Sequence, residues 1–297
     1  MSHITQSGAK KITAPHLKAR KGGQPIVALT AYDYPSARLV DEAGFDMILV
    51  GDSLAQTVLG YDTTLPVTLD EMIAATRAVR RAARRALVVG DMPFGTYQDS
   101  PSRAVESAIR FVKEGGAEAV KIEGGARRAH IVKAIVEAEV PVMGHIGLTP
   151  QSVLRMGGYK VQGKTMETAR ELIEDALALE RAGAFAIVLE GIPAEITRLI
   201  TDRVTIPTIG IGAGVDCDGQ ILVFSDLVGL TFGHKAKFVR QYADVIGVIS
   251  DALKRYADDV SARRFPADEE SYHLPEGIVV EITDEETQSM PPLGPIN

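Results

Sequence analysis

The sequence predicts an α/β fold, a single (β/α)8 TIM barrel with an N-terminal helical segment and a C-terminal extension. Three observations predict it. Eight short runs of β-branched and aliphatic residues recur along the chain, stretches of helical period lie between them, and polar residues gather where the runs end. The apolar runs hardly alternate with polar residues, so they read as strands buried on both faces, the pattern of a parallel sheet covered by helices. A barrel of this kind takes ~250 residues before extensions, which suits one domain in a chain of 297.

In chain order, the opening segment is basic, its first acidic residue being Asp33, and an organelle transit peptide is one reading of it. Thr13-Ala14-Pro15 nevertheless marks a helix start and Gly22-Gly23 its stop, so the segment is taken as part of the fold. Strands are expected over 26–30, 47–51, 86–91, 119–123, 140–146, 185–190, 206–211 and 220–224, and helices over 69–84, 101–113, 166–182 and 193–201. Ser100 before Pro101 supplies an N-cap and a first-turn proline, while Ala43-Gly44, Gly115-Gly116 and Ala182-Gly183 supply glycine stops. Eight strands with helices between them favour a closed barrel over an open doubly wound sheet. A last helix over about 238–260 closes the barrel domain, 1–260. The tail, 261–297, is rich in Pro, Asp and Glu with one apolar run at 278–282, and is expected to be partly disordered or packed on a neighbouring subunit.

Composition narrows the function. With 32 basic and 39 acidic side chains the formal charge is −7, which argues against nucleic-acid or membrane-surface partners, both of which favour a basic face. The lone Cys217 excludes an internal disulfide and a Cys-rich metal site. No apolar run approaches the ~20 residues of a membrane span, and the N-terminus lacks a secretory signal's apolar core. A cytoplasmic enzyme acting on small molecules is the expectation.

The strand runs end in Val50-Gly51-Asp52-Ser53, Val89-Gly90-Asp91-Met92, Val120-Lys121-Ile122-Glu123-Gly124, Gly144-His145-Ile146-Gly147, Leu189-Glu190-Gly191 and Gly210-Ile211-Gly212-Ala213-Gly214. In a parallel barrel all strand C-termini point to one face, where active sites lie. Asp52 and Asp91 taken singly also read as solvated loop starts or helix N-caps. The alternation Val120-Lys121-Ile122-Glu123 puts both charges on one side of a strand, facing the barrel mouth if the apolar pair packs on helices; a purely structural salt bridge is the bland alternative. His145 reads equally as a core histidine or a substrate contact. The glycines at 157–158 and 210–214 cradle a phosphate or simply turn the chain, and a Rossmann fingerprint is set aside because the second cluster follows the seventh strand, not the first.

Oxygen donors without clustered Cys or His favour a hard cation, Mg²⁺, held by a few carboxylates. Such a cation, chelated by the carboxylate and keto oxygens of a 2-oxo acid, stabilises an enolate. A glutamate at another strand end, with its pKa raised by burial, then removes the C3 proton.

The runs Leu29-Thr30-Ala31-Tyr32-Asp33, Val50-Gly51-Asp52-Ser53, Leu65-Pro66-Val67-Thr68, Val120-Lys121-Ile122-Glu123-Gly124, Gly144-His145-Ile146-Gly147-Leu148-Thr149-Pro150-Gln151-Ser152 and Gly157-Gly158-Tyr159-Lys160-Val161-Gln162-Gly163 closely resemble the ketopantoate hydroxymethyltransferase family, in order from about residue 12 to 266. The resemblance implies transfer of a hydroxymethyl group from 5,10-methylenetetrahydrofolate to 3-methyl-2-oxobutanoate, giving 2-dehydropantoate for pantothenate synthesis. It implies Asp52, Asp91 and Glu123 as the metal site, with Glu123 acting directly or through water, and one Mg²⁺ per subunit. Asp52, Ser53, Asp91, Lys121 and His145 are implied as substrate contacts and Glu190 as the general base. A homodecamer built from rings of five is implied as well. The chain departs from the family pattern in its longer, more acidic tail and in the loop that carries Cys217. Two other readings stay open: a metal-dependent C–C lyase or phosphoenolpyruvate mutase-like enzyme using the same mouth, and a silent scaffold that binds 2-oxo acids.

Overall fold

The computed structural model describes residues 10–233 and 235–278. Contacts divide the chain into two units, Met1–Val245 and Ile246–Asn297. The first unit is the expected barrel. Its strands are β1 Ile26–Thr30, β2 Met47–Val50, β3 Leu87–Asp91, β4 Ala119–Glu123, β5 Val142–Gly147, β6 Ala186–Glu190, β7 Thr208–Ile211 and β8 Gly219–Leu222. They pair in parallel in sequence order, and β8 closes on β1 with Ile26 opposite Gly219 and Leu29 opposite Leu222.

Side-chain parity divides the core into two layers. Outward residues such as Ile48, Val88, Val120, Ile122 and Ile187 pack with helix residues such as Met72, Val79, Ile131 and Leu179. Inward residues Met47, Leu49, Leu87, Val89, Ala119, Met143, Val188 and Ile209 fill the barrel, joined by Ile12, Ala14 and Leu17 of the N-terminal segment. The helix predicted there is real, Ala14–Lys18 with Pro15 in its first turn, and it contributes to the barrel's interior. The helix Leu69–Ala82 shows how its boundaries are set: Thr68 Oγ1 accepts from Glu71 N while Glu71 Oε2 accepts from Thr68 N at 2.8 Å, a reciprocal cap. Pro101–Arg110 runs on into a wider turn, Phe111–Gly115. Phe111 fits there because Gly90 of β3 faces it; a Cβ on Gly90 would lie 2.5 Å from the ring.

One helix differs from expectation. The apolar stretch from Phe238 reads as helical, yet the helix begins only at Val245, running Val245–Ser261. The Phe238 ring packs instead over Gly212, and Tyr242 N donates to Leu227 O at 2.8 Å. Those tertiary bonds hold 238–244 out of helical geometry. In the second unit none of the helix's residues is buried. Of the tail expected over 261–297, residues 279–297 lie outside the described residues.

Candidate active site

Inward parity carries Asp91 on β3, Lys121 and Glu123 on β4, His145 on β5 and Glu190 on β6 to the C-terminal end of the barrel. Register sets their neighbours, with Asp91 opposite Lys121 and Glu123 opposite His145. Asp52 and Ser53 follow β2 directly. All seven of these residues line one cavity of about 870 Å³, so every residue singled out from the strand ends converges on it. The solvated readings of Asp52 and Asp91 do not hold, since both are at most 4% exposed.

Lys121 is the hub. Its Nζ lies 2.8 Å from Asp91 Oδ1, 3.5 Å from Glu123 Oε1 and 3.2 Å from His145 Nδ1. Asp91 Oδ2 accepts from Asp52 N at 3.0 Å, tying the ends of β2 and β3. His145 Nε2 faces Glu190 Oε2 at 3.2 Å, and its Nδ1 is 3.6 Å from Glu123 Oε1. The imidazole therefore stands between Glu190 and the other acids. Glu190 keeps 16% of its side-chain surface open to the cavity, against 1–4% for Asp91, Lys121, Glu123 and His145.

Burial and repulsion govern the charges. Burial, then Asp91 and Glu123, push Asp52 well above the usual carboxylate range. Burial also raises Asp91, partly offset by Lys121. Glu123 is held low despite burial, because Lys121 and His145 stabilise its charge. Burial and Lys121 oppose protonation of His145, but Glu123 and Glu190 outweigh them and push it up to about 9. Lys121 is raised despite its burial by Asp91, Glu123 and Asp52, so it stays a cation. Lys121 and the His145 imidazolium are thus two cations set among four carboxyl groups.

Other polar residues, behind the cavity's lining, bond to those side chains without having been singled out in the sequence. Tyr32 OH meets Ser53 Oγ at 2.7 Å and receives Thr30 Oγ1–H at 2.9 Å, fixing the Ser53 hydroxyl beside Asp52. Gln151, in the turn Pro150–Ser152 after β5, donates from Nε2 to Asp52 Oδ2 and to Met92 O, each at 3.0 Å. Its backbone N–H bonds Glu123 Oε2 at 3.0 Å, and Tyr97 OH donates to its Oε1 at 2.7 Å. Both lie in irregular loops, where no periodicity marks a residue as inward; buried polar types inside otherwise apolar or Gly-rich surroundings were the available signal. The glycine clusters act as turns: Gly157, Gly158, Gly212 and Gly214 all take positive φ, and Gly212 and Gly214 line the cavity rim.

Residues 11–268 match the family described as Ketopantoate hydroxymethyltransferase. A 3-methyl-2-oxobutanoate hydroxymethyltransferase of Koribacter versatilis (strain Ellin345) is 60% identical over 276 residues, which cover 93% of this chain and 94% of that one. Its counterpart from Syntrophomonas wolfei subsp. wolfei (strain DSM 2245B / Goettingen) is 53% identical over 270 residues, covering 91% and 98%. Among solved structures, a 2,3-dimethylmalate lyase described as a PEP mutase/isocitrate lyase superfamily member is similar with a TM-score of 0.56 at 20% identity, over 92% of this chain and 90% of that one. Phosphonopyruvate hydrolase in complex with oxalate and Mg++ gives 0.59 at 14% identity, over 87% and 93%. At such identities the likeness is one of fold alone. The family match over most of the chain, with relatives 53–60% identical along it, makes the chain a member of the ketopantoate hydroxymethyltransferase family, and hence a hydroxymethyl transferase of pantothenate synthesis.

Proposed function

We propose that the mouth transfers a hydroxymethyl group from 5,10-methylenetetrahydrofolate to C3 of 3-methyl-2-oxobutanoate, with uptake of one water, giving 2-dehydropantoate and tetrahydrofolate. The observation that carries the reading is the separation of Glu190 from the other acids. It stands on β6, beyond His145 and open to the cavity, while Asp52, Asp91 and Glu123 are clustered around Lys121.

A divalent cation fits the clustered acids. Asp91 Oδ1 meets Lys121, and Glu123 Oε1 meets Lys121 and His145, as buried ion-pair contacts without a directed hydrogen bond, and the cluster holds more carboxyl groups than cations. Among the described residues no three acidic, imidazole or thiol groups form a ready cage. Mg²⁺ commonly takes one or two carboxylates and leaves positions to water and substrate. Asp52 and Asp91 would hold it, with Glu123 as acidic partner directly or through water. When bound it supplies Lewis-acid polarisation of the 2-oxo acid's oxygens.

The chain's own residues do the rest. Ser53, held by Tyr32, and Lys121 bind the substrate carboxylate. The Lys121 ammonium, buried from water, also stabilises negative charge as it spreads onto the keto oxygen. Glu190 Oε takes the C3 proton, and His145, 3.2 Å away, orients that carboxylate. The cavity of about 870 Å³ far exceeds a five-carbon acid and leaves room for the folate. Assembly as a homodecamer in the cytoplasm, with no nucleic-acid or membrane partner, belongs to the same reading; no helix among the described residues is long and apolar enough to cross a membrane.

The test is deuterium exchange at C3 of 3-methyl-2-oxobutanoate in D₂O, followed by proton NMR with and without Mg²⁺ and in Glu190→Gln. Metal-dependent exchange is expected in the wild type, slowed ~10²- to 10⁴-fold in the variant. Exchange that survives the Glu190 change at full rate would remove the base from this role, and turnover with methylenetetrahydrofolate tests the donor separately.

A further inference from the structure

Gln151 is 5% exposed, and its side chain uses every hydrogen-bonding site it has. Nε2 donates to Asp52 Oδ2 and Met92 O, and Oε1 accepts from Tyr97 OH and from Gln98 Nε2 at 3.0 Å. An amide offers two donors and two acceptor sites, so nothing is left over. The orientation is fixed as well: turning the amide by half a rotation would set its oxygen against a carboxylate and a carbonyl, and its nitrogen against two donors. Tyr97 cannot swing away, because its hydroxyl also accepts from Glu123 N at 3.0 Å. Through its own N–H to Glu123 Oε2, the same residue reaches a second acid.

From one turn after β5, Gln151 thus joins the ends of β2, β3 and β4. It does so without adding a charge, in a cluster whose acids already repel one another. Its bond commits Asp52 Oδ2 and leaves Oδ1 as the oxygen available to a cation. We infer that Gln151, oriented by Tyr97, is a positioning residue that sets the Asp52 carboxylate for divalent-cation binding. The inference rests on the proposed cation site, and extends it to a residue that touches neither cation nor substrate. Partners of this kind typically govern metal affinity by 10- to 100-fold.

The test measures Mn²⁺ binding to the full chain without substrate, by calorimetry or by the loss of the free-ion electron paramagnetic resonance signal. Gln151→Met keeps the length and removes the amide; Tyr97→Phe keeps the ring and removes one oxygen. The Mn²⁺ dissociation constant should rise about 10- to 100-fold in the first and by a smaller factor in the second, and raised Mg²⁺ should restore turnover in both. A merely structural role would lower thermal stability and leave the dissociation constant where it was. A folded Gln151→Met variant that binds Mn²⁺ like the wild type overturns the inference. Should that variant fail to fold, an unchanged dissociation constant in Tyr97→Phe overturns it instead. A wild-type protein that binds no Mn²⁺ removes the cation site itself, and the inference with it.

Discussion

Lys121→Met removes the one ammonium in the acid cluster while keeping a side chain of similar length. Unit charges 2.8 Å apart, the Lys121–Asp91 distance, attract by ~6 kcal/mol at an effective dielectric of ~20. Desolvation offsets most of that in the intact pair. Taking away one partner leaves the other buried and uncompensated, which costs about 3–5 kcal/mol. With a Tm response of ~2–4 °C per kcal/mol for a domain of this size, the variant should melt about 6–20 °C lower at pH 7.5 in the presence of chelator. The pH dependence gives the sharper check. Asp91 is already raised by burial, and without Lys121 it rises further above its unfolded value. A carboxyl raised in the folded state carries no penalty below its ordinary pKa and the full penalty once pH exceeds the folded one. The deficit should therefore shrink as pH falls from 7.5 towards 5. Thermal melts of wild type and variant at three pH values measure it, and a deficit that is negligible at pH 7.5 or constant down to pH 5 would refute the reasoning. Turnover should fall by ~10² to 10³ with the lost electrostatic contribution.

His145 is raised to about 9, so its stabilising contribution is full below its ordinary value and is lost as pH climbs through 9. Wild-type stability should drop on the order of 3 kcal/mol between pH 6.5 and 9, and His145→Gln should flatten that slope in urea titrations. Gly147 has φ +94, and a Cβ there would press on Glu190 O and on the Ile192 side chain. Gly147→Ala should cost about 1–3 kcal/mol and, by shifting Glu190, slow turnover by about tenfold or more, both readable from melts and steady-state kinetics. Asp41, buried on the opposite side of the fold, accepts from the backbone N–H groups of Arg84, Arg85 and Ala86. Asp41→Asn turns one acceptor into a donor facing them, so stability should fall by about 1–3 kcal/mol with kcat and KM unchanged.

What the sequence made legible follows the regular backbone. The eight strands lie within a residue or two of where apolar runs placed them, because a doubly buried strand must be apolar along its length. Lys121 and Glu123 were legible as a pair because a two-residue period alone puts them on one face, and Val120 and Ile122 do pack outward. Gln151 and Tyr97 were not, since their places are set by a turn and a loop whose geometry depends on bonds to distant strands. The start of the last helix was misread for a related reason: Phe238 to Asp244 has helical apolar spacing, but Gly212 offers the Phe238 ring a seat and Leu227 O takes the Tyr242 N–H. Tertiary bonds of that kind leave no local trace.

The acids at the two ends of the barrel are satisfied in different ways. A parallel strand begins with backbone N–H groups free to donate and ends with carbonyls that can only accept. At the N-terminal ends, acids find those donors: Ala86 N bonds Asp41, Val27 N bonds Asp46, Val88 N bonds Glu118 and Thr208 N bonds Asp218. Arg20 and Arg85 complete Asp46, and Lys21 completes Asp218. Asp218, though burial works against it, is held below the ordinary range by those bonds. At the C-terminal ends the strands have no such donors to give. Two N–H groups reach the acids there, Asp52 N and Gln151 N, and the Gln151 amide divides its two donors between Asp52 Oδ2 and Met92 O. Carboxyl groups at that end share Lys121 and His145 instead. The polarity of a parallel barrel thus makes the same residue type a structural anchor at one face and a group with few backbone donors to accept from at the other.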